Sequence, residues 1–120
     1  THSAWLFSSL VLGCNGLLSG SGSVIAELQA RLYRAIQADD LHTARELNVR
    51  ISATSTVFYA DPRSDMHNRM KEALVMLGKL RCAAVRPPLV KLSGEEIQRI
   101  ESALIAAGLL AGDGRARFAA

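Results

Sequence analysis

The sequence predicts an α/β protein represented in part: a mainly helical chain that contributes one short strand. Three observations predict it. Apolar residues recur at steps of three and four in five separate stretches, the pattern of helices with one buried face. One apolar pair, Leu17-Leu18, lies between turn glycines and fits only the core of a buried strand, yet a lone strand leaves its own N–H and C=O groups unpaired. The chain also opens at Thr1 with no initiator Met and runs at once into a helical pattern. The expectation from these oddities is the C-terminal part of a larger α/β protein.

The elements follow in order. Ser3 is placed to cap a first helix carrying Trp5, Leu6, Leu10 and Val11, with Gly13 at its left-handed end. Asn15-Gly16 makes a turn, Leu17-Leu18 the strand, and Ser19 to Ser23 a loop of small residues that a ligand or another backbone can approach closely. Ser23 is expected to cap a second helix with Ile25, Leu28, Leu32 and Ile36 on one face. Asp39-Asp40 breaks it and caps a third, which carries Leu41, Ala44, Leu47, Ile51 and Phe58 and pairs Glu46 with Arg50 four residues on. These two helices should form an antiparallel hairpin. Asp61-Pro62 stops the third helix; Ser64 or Asp65 caps a fourth, with Met66, Met70, Ala73, Leu74 and Leu77 inward and Gly78 as terminator. Arg86-Pro87-Pro88-Leu89 should be extended within a loop, and Ser93-Gly94-Glu95-Glu96 reads as a capping box, with Glu96 reaching back. A fifth helix through Ile97, Ile100, Leu104 and Ile105 ends at Gly108, and residues 111–120 should fray as a flexible tail.

Composition excludes more than it selects. The 120 residues fit one domain, and 49% hydrophobic content supplies a core. Fourteen Lys and Arg are scattered and aromatics are 5%, so no nucleic-acid face is expected. No apolar run reaches the roughly 18 residues needed to cross a membrane. Cys14 and Cys82 fit no metal spacing and read as two reduced thiols in a cytoplasmic protein. His2 and His42 lack ligand-spaced partners, so neither a metal nor a cofactor is expected. The run Asp65 to Arg69 around His67 reads first as the N-terminal turn of a helix and only second as a polar site. Ser21-Gly22-Ser23 before a helix also fits an anion-binding N-terminus.

Several segments in the right order carry a resemblance. Leu12-Gly13-Cys14-Asn15-Gly16-Leu17-Leu18-Ser19, Asp40 with Ala44-Arg45-Glu46-Leu47, Met70-Lys71-Glu72-Ala73-Leu74 with Leu77-Gly78, and Arg86-Pro87-Pro88-Leu89 with Ala107-Gly108-Leu109 resemble conserved segments of one family. This is the dihydrodipicolinate synthase/N-acetylneuraminate lyase family, the first segment being similar to its LGxxGxIS signature. Ser23 departs from the family pattern, which usually has Asn there. The resemblance implies the C-terminal part of a (β/α)8 TIM barrel. Residues 1–60 would be its last βα units, 61–110 a C-terminal helical extension and 111–120 the tail.

It further implies a class I, Schiff-base lyase acting on 2-keto acids, pyruvate or sugar-acid derived. The imine-forming Lys and the catalytic Tyr would lie upstream, so no catalytic residue falls in this segment. The implied substrate-binding residues are Leu18, Ser19 and Gly20, acting through backbone groups at the end of strand eight, where such barrels keep their active face. A second reading leaves Leu18 as barrel filling and the glycines as aids to packing. Partners implied are the remainder of the barrel and further copies in a homo-oligomer, commonly a tetramer. The run Asp65-Met66-His67-Asn68-Arg69-Met70-Lys71 resembles the sugar-acid branch, the 2-keto-3-deoxyarabonate dehydratases, where the diaminopimelate branch usually has NPxPVK. The rival reading from another class is a non-catalytic helical interaction module.

Overall fold

The computed structural model describes residues 3–113, with side chains from residue 4. His2, the expected cap at the Ser3 side chain, and residues 114–120 of the expected tail lie outside the described residues. Five α-helices form: α1 (Leu6–Val11), α2 (Gly22–Gln37), α3 (Leu41–Phe58), α4 (Met66–Met76) and α5 (Gly94–Ala106). Short 3-10 turns at Ser3–Trp5 and Arg63–Asp65 lead into α1 and α4.

The helices are where the apolar periods put them, and α3 is the axis of the molecule, packing against each of the others. Its inward face is Ala44, Leu47, Ile51 and Phe58, with Leu41 exposed instead of buried. Thr54 and Ser55 fill the buried turn between Ile51 and Phe58. Each hydroxyl donates to the carbonyl of Ile51 at 2.9 Å, which lets two polar residues occupy core positions at no loss of a hydrogen bond. Leu28 and Leu32 of α2, Met70 and Ala73 of α4, and Ile100 and Leu104 of α5 complete one continuous core.

Four helix ends share one geometry. At α1, α2, α4 and α5 the third residue past the helix donates from its N–H to the carbonyl two places before the last helical residue, and the residue before it donates to the carbonyl one place further on, the paired Schellman bonds. Examples are Cys14 N to Ser9 O at 3.1 Å and Leu109 N to Leu104 O at 2.9 Å. The left-handed position is Gly13, Gly78 and Gly108 at three ends, and Asp39, at φ 53°, at the fourth. The predicted terminators are therefore correct. Asp40 caps α3 as expected, accepting from Thr43 N at 3.0 Å.

Several local expectations change. α2 starts at Gly22 behind Ser21, and Ser23 instead lies in the first turn and donates to Gly20 O. Asp65 precedes α4 but its side chain makes no cap bond. Arg50 leaves Glu46 and donates from Nε to Ala107 O at 2.8 Å, because the carbonyls at the end of α5 are a better partner than an exposed carboxylate. Ser93 caps α5, but Glu96 turns away from it to pair with Arg69, so only half of the capping box forms. Arg86 to Leu89 closes a turn, Leu89 N donating to Arg86 O at 3.1 Å, instead of running extended; the two prolines between them carry no N–H to compete.

Residues 14–19 are extended but form no strand. Among the described residues the backbone of 15–18 has no ladder partner, which follows from the absence of a second strand to pair with. Leu17 is half-buried and Leu18 is 91% exposed, so the expected burial of Leu18 is not met within this chain. No helix among the described residues is long and apolar enough to cross a membrane.

Candidate functional site

The loop that follows the extended segment is built from hydroxyls and one amide. Ser21 is completely buried. Its Oγ lies 3.1 Å from Ser19 Oγ, and Gln29 Nε2 donates to both hydroxyls, at 3.1 and 3.2 Å. Ser21 N in turn donates to the Tyr59 hydroxyl at 3.2 Å, across 38 positions of sequence. Gly20 sits against the same phenol: a Cβ there would lie 3.6 Å from Tyr59 Oη and 3.9 Å from Met70 Cε. The loop is thus held by two anchors, Gln29 of its own helix and Tyr59 at the end of α3.

The three residues singled out in the sequence are placed together but in different environments. Leu18 and Gly20 are exposed, and Ser19 is half-buried and bound into the hydroxyl cluster. Ser19, Ser21, Gln29 and Tyr59 bring two hydroxyls, an amide and a phenol to the cluster. Four of the N–H donors at the start of α2 are engaged: Ser21 N serves Tyr59, Gly22 N serves Ser19 O, and Val24 N and Ile25 N serve Ser21 O. The three lysines stand elsewhere. Lys71 Nζ donates to Ala84 O at 2.6 Å, and Lys79 and Lys91 are exposed.

The run from Asp65 to Lys71 turns out to hold elements together. His67 is exposed, whereas Asn68 and Arg69 are buried, Arg69 to within 1% of full enclosure. Asn68 Nδ2 donates to Val90 O at 2.7 Å and so fixes the loop before α5. Arg69 spans three elements. Its Nε meets Glu96 Oε2 of α5 at 2.7 Å, while its terminal nitrogens donate to Ala60 O (2.7 Å), Asp61 O (3.3 Å) and Pro62 O (3.3 Å). Glu96 also pairs with Arg99 at 3.0 Å. Burying a guanidinium is tolerable only when its charge and donors are this fully met. The helix-turn reading of this run therefore holds, with structural ties in place of a polar site.

Sequence reasoning missed Gln29, Tyr59 and Arg69. Gln29 left one signal, a polar residue four places after Ile25 on the apolar stripe of α2. Tyr59 and Arg69 left none, since their partners are far along the chain.

The model of the Dihydrodipicolinate synthetase family matches residues 3–107, and the chain belongs to this family. Among curated proteins, the 4-hydroxy-tetrahydrodipicolinate synthase of Leptothrix cholodnii is 33% identical over 101 residues, 84% of this chain and 33% of that protein. The enzyme of the same name from Archaeoglobus fulgidus is 30% identical over 95 residues, 79% of this chain and 32% of its own. That from Kineococcus radiotolerans is 33% identical over 100 residues, 83% and 32% respectively. The chain spans about a third of the length of the curated relatives it matches. No solved structure matches significantly. The mainly helical chain, with its one extended segment, agrees with the expected fold class, a C-terminal segment of an α/β barrel family.

Proposed function

We propose that this chain forms the C-terminal segment of a Schiff-base lyase that acts on 2-keto acids. The observation that carries the reading is the family match across nearly the whole chain, 3–107. The backbone of residues 15–18 supports it, since without a ladder partner among the described residues it has the form of a barrel strand awaiting neighbours, and the pinned loop follows at its C-terminal end, where active sites of such barrels lie. On this reading residues 1–60 close the barrel, 61–110 form the helical extension, and the assembled enzyme is a homo-oligomer.

The chemistry begins when a lysine amine, contributed from outside this segment, attacks the ketone carbon and expels water. The protonated imine then accepts the electron pair released at the neighbouring carbon. With the ketone carbon as C2, loss of water across C3–C4 makes a dehydratase; making or breaking the C3–C4 bond makes an aldolase. Leu18, Ser19 and Gly20 supply one wall, offering backbone carbonyls and amides that orient the bound keto acid. The likeness of residues 65–71 to the sugar-acid branch favours a sugar-acid substrate, although Asn68 and Arg69 are engaged by the backbone of residues 60–62 and 90. The named relatives favour the synthase side.

Borohydride reduction in the presence of pyruvate tests the proposal. Full-length protein gains a covalent adduct on a lysine outside residues 1–120, and the 120-residue chain alone gains none. An adduct on Lys71, Lys79 or Lys91 would sink the assignment.

A further inference from the structure

The loop at the proposed keto-acid wall is tied to the C-terminal helices by a continuous set of contacts. Ser21 presents a buried amide, and a buried amide left without an acceptor costs about 1–3 kcal/mol. Its acceptor is the phenol of Tyr59, the first residue after α3. The backbone immediately after Tyr59 is in turn gripped by Arg69, which donates to the carbonyls of Ala60, Asp61 and Pro62 in succession. Arg69 is fixed by Glu96 of α5, and its neighbour Met70 lies against Gly20. Each link is a hydrogen bond of 2.7 to 3.3 Å, an ion pair or a packing contact, contributed by α4, α5 and the residue that follows α3.

We infer that Tyr59 is a positioning residue of the keto-acid site: its hydroxyl sets the backbone of Ser19–Ser21, and the ion pair of buried Arg69 with partly exposed Glu96 sets Tyr59. The inference rests on the lyase reading above. Gln29 fixes the hydroxyls of this loop, Ser23 Oγ holds the Gly20 carbonyl from within the same turn, and the phenol ties the N–H side of the peptide between Gly20 and Ser21 to the end of α3. A wall of backbone groups works only if its peptides point correctly. Losing the phenol divides the loop between competent and incompetent orientations, and apparent affinity falls by the competent fraction.

The test uses full-length enzyme, pyruvate and borohydride, with the half-saturating pyruvate concentration for adduct formation as the readout. Tyr59→Phe keeps the ring and removes the acceptor. It should raise that concentration about tenfold, the equivalent of one hydrogen bond to a buried amide, and leave the maximum adduct unchanged. A purely structural role would lower the maximum and leave half-saturation in place, and that result overturns the inference. Should Tyr59→Phe fail to fold, Arg69→Lys decides in its stead. It keeps a positive charge beside Glu96 but loses the grip on residues 60–62, and it should raise half-saturation in the same direction; an unchanged value overturns the inference. Wild-type enzyme that traps no pyruvate at all fails the lyase reading itself, so the two failures are told apart.

Discussion

At the scale of single residues, the four Schellman ends set up a natural comparison. Three use glycine in the left-handed position and one uses Asp39 at φ 53°. A side chain there crowds its own carbonyl by roughly 1–2 kcal/mol, part of which glycine gives back through the greater freedom of its unfolded chain. Asp39→Gly should therefore stabilise the protein by roughly 0.5–1 kcal/mol in urea denaturation. Gly108→Ala should do the opposite. Besides φ of 69°, its new methyl would lie 3.3 Å from the Arg50 guanidinium that caps α5, and a loss of roughly 1–2 kcal/mol is expected. Equal stability of the two variants would refute this account of the helix ends. The glycines and the Asp39-Asp40 break were legible in the sequence because a turn is written in adjacent letters. Arg50 was not: local spacing offered Glu46, and only the fold brings in Ala107, 57 positions away.

At the scale of elements, the helices owe their starts to side chains that are readable locally and their mutual placement to ones that are not. Asp40 belongs to the first kind. Hydrogen bonds from Thr43, its side chain first and its backbone N–H second, hold the Asp40 carboxyl below the ordinary value of 3.8, with a smaller pull from His42. A depressed folded-state pKa contributes stability that is present above 3.8 and is lost as pH falls through the lower folded value. Asp40→Asn keeps an acceptor and removes the titration. The acid limb of stability against pH should be shallower in this variant than in wild type, and identical limbs would exclude Asp40 as a contributor. Glu96 belongs to the second kind. Its place in S-x-x-E after Ser93 predicted a reach back to its own helix start, and the unmet charge of a fully buried Arg69 outcompeted that bond. The candidate loop shows the same division. Ser19 to Ser23 stood out by composition, while Gln29 and Tyr59, which hold it, could be recognised only once α2 and α3 were packed.

At the scale of the whole molecule, the core and the exposed apolar side chains are distributed unevenly. The buried cluster is densest in α2 to α5, while Leu12, just before the extended segment, and Leu18, within it, keep most of their surface in solvent. Unpaired backbone beside large apolar side chains invites association. The 120-residue chain alone should self-associate with rising concentration in sedimentation velocity, and Leu12→Gln with Leu18→Gln should reduce it. A monodisperse wild-type chain at all concentrations would instead favour the independent helical module. The family was legible because four matching segments in order are hard to meet by chance, and the helices because their apolar residues recur at steps of three and four. The strand was legible as a pattern but not as a structure, because a ladder requires a partner that no spacing within these residues supplies.

The grip of Arg69 on residues 60–62 has a consequence for how this protein can vary. A guanidinium that reads three main-chain oxygens is blind to the side chains they carry. Asp61 and Arg63 project into water, and their 3.9 Å ion pair is too exposed to matter much. That corner of the surface is therefore free to drift in charge or to accept a label or a tether. Behind it the backbone keeps its course, and the phenol of Tyr59 keeps its address.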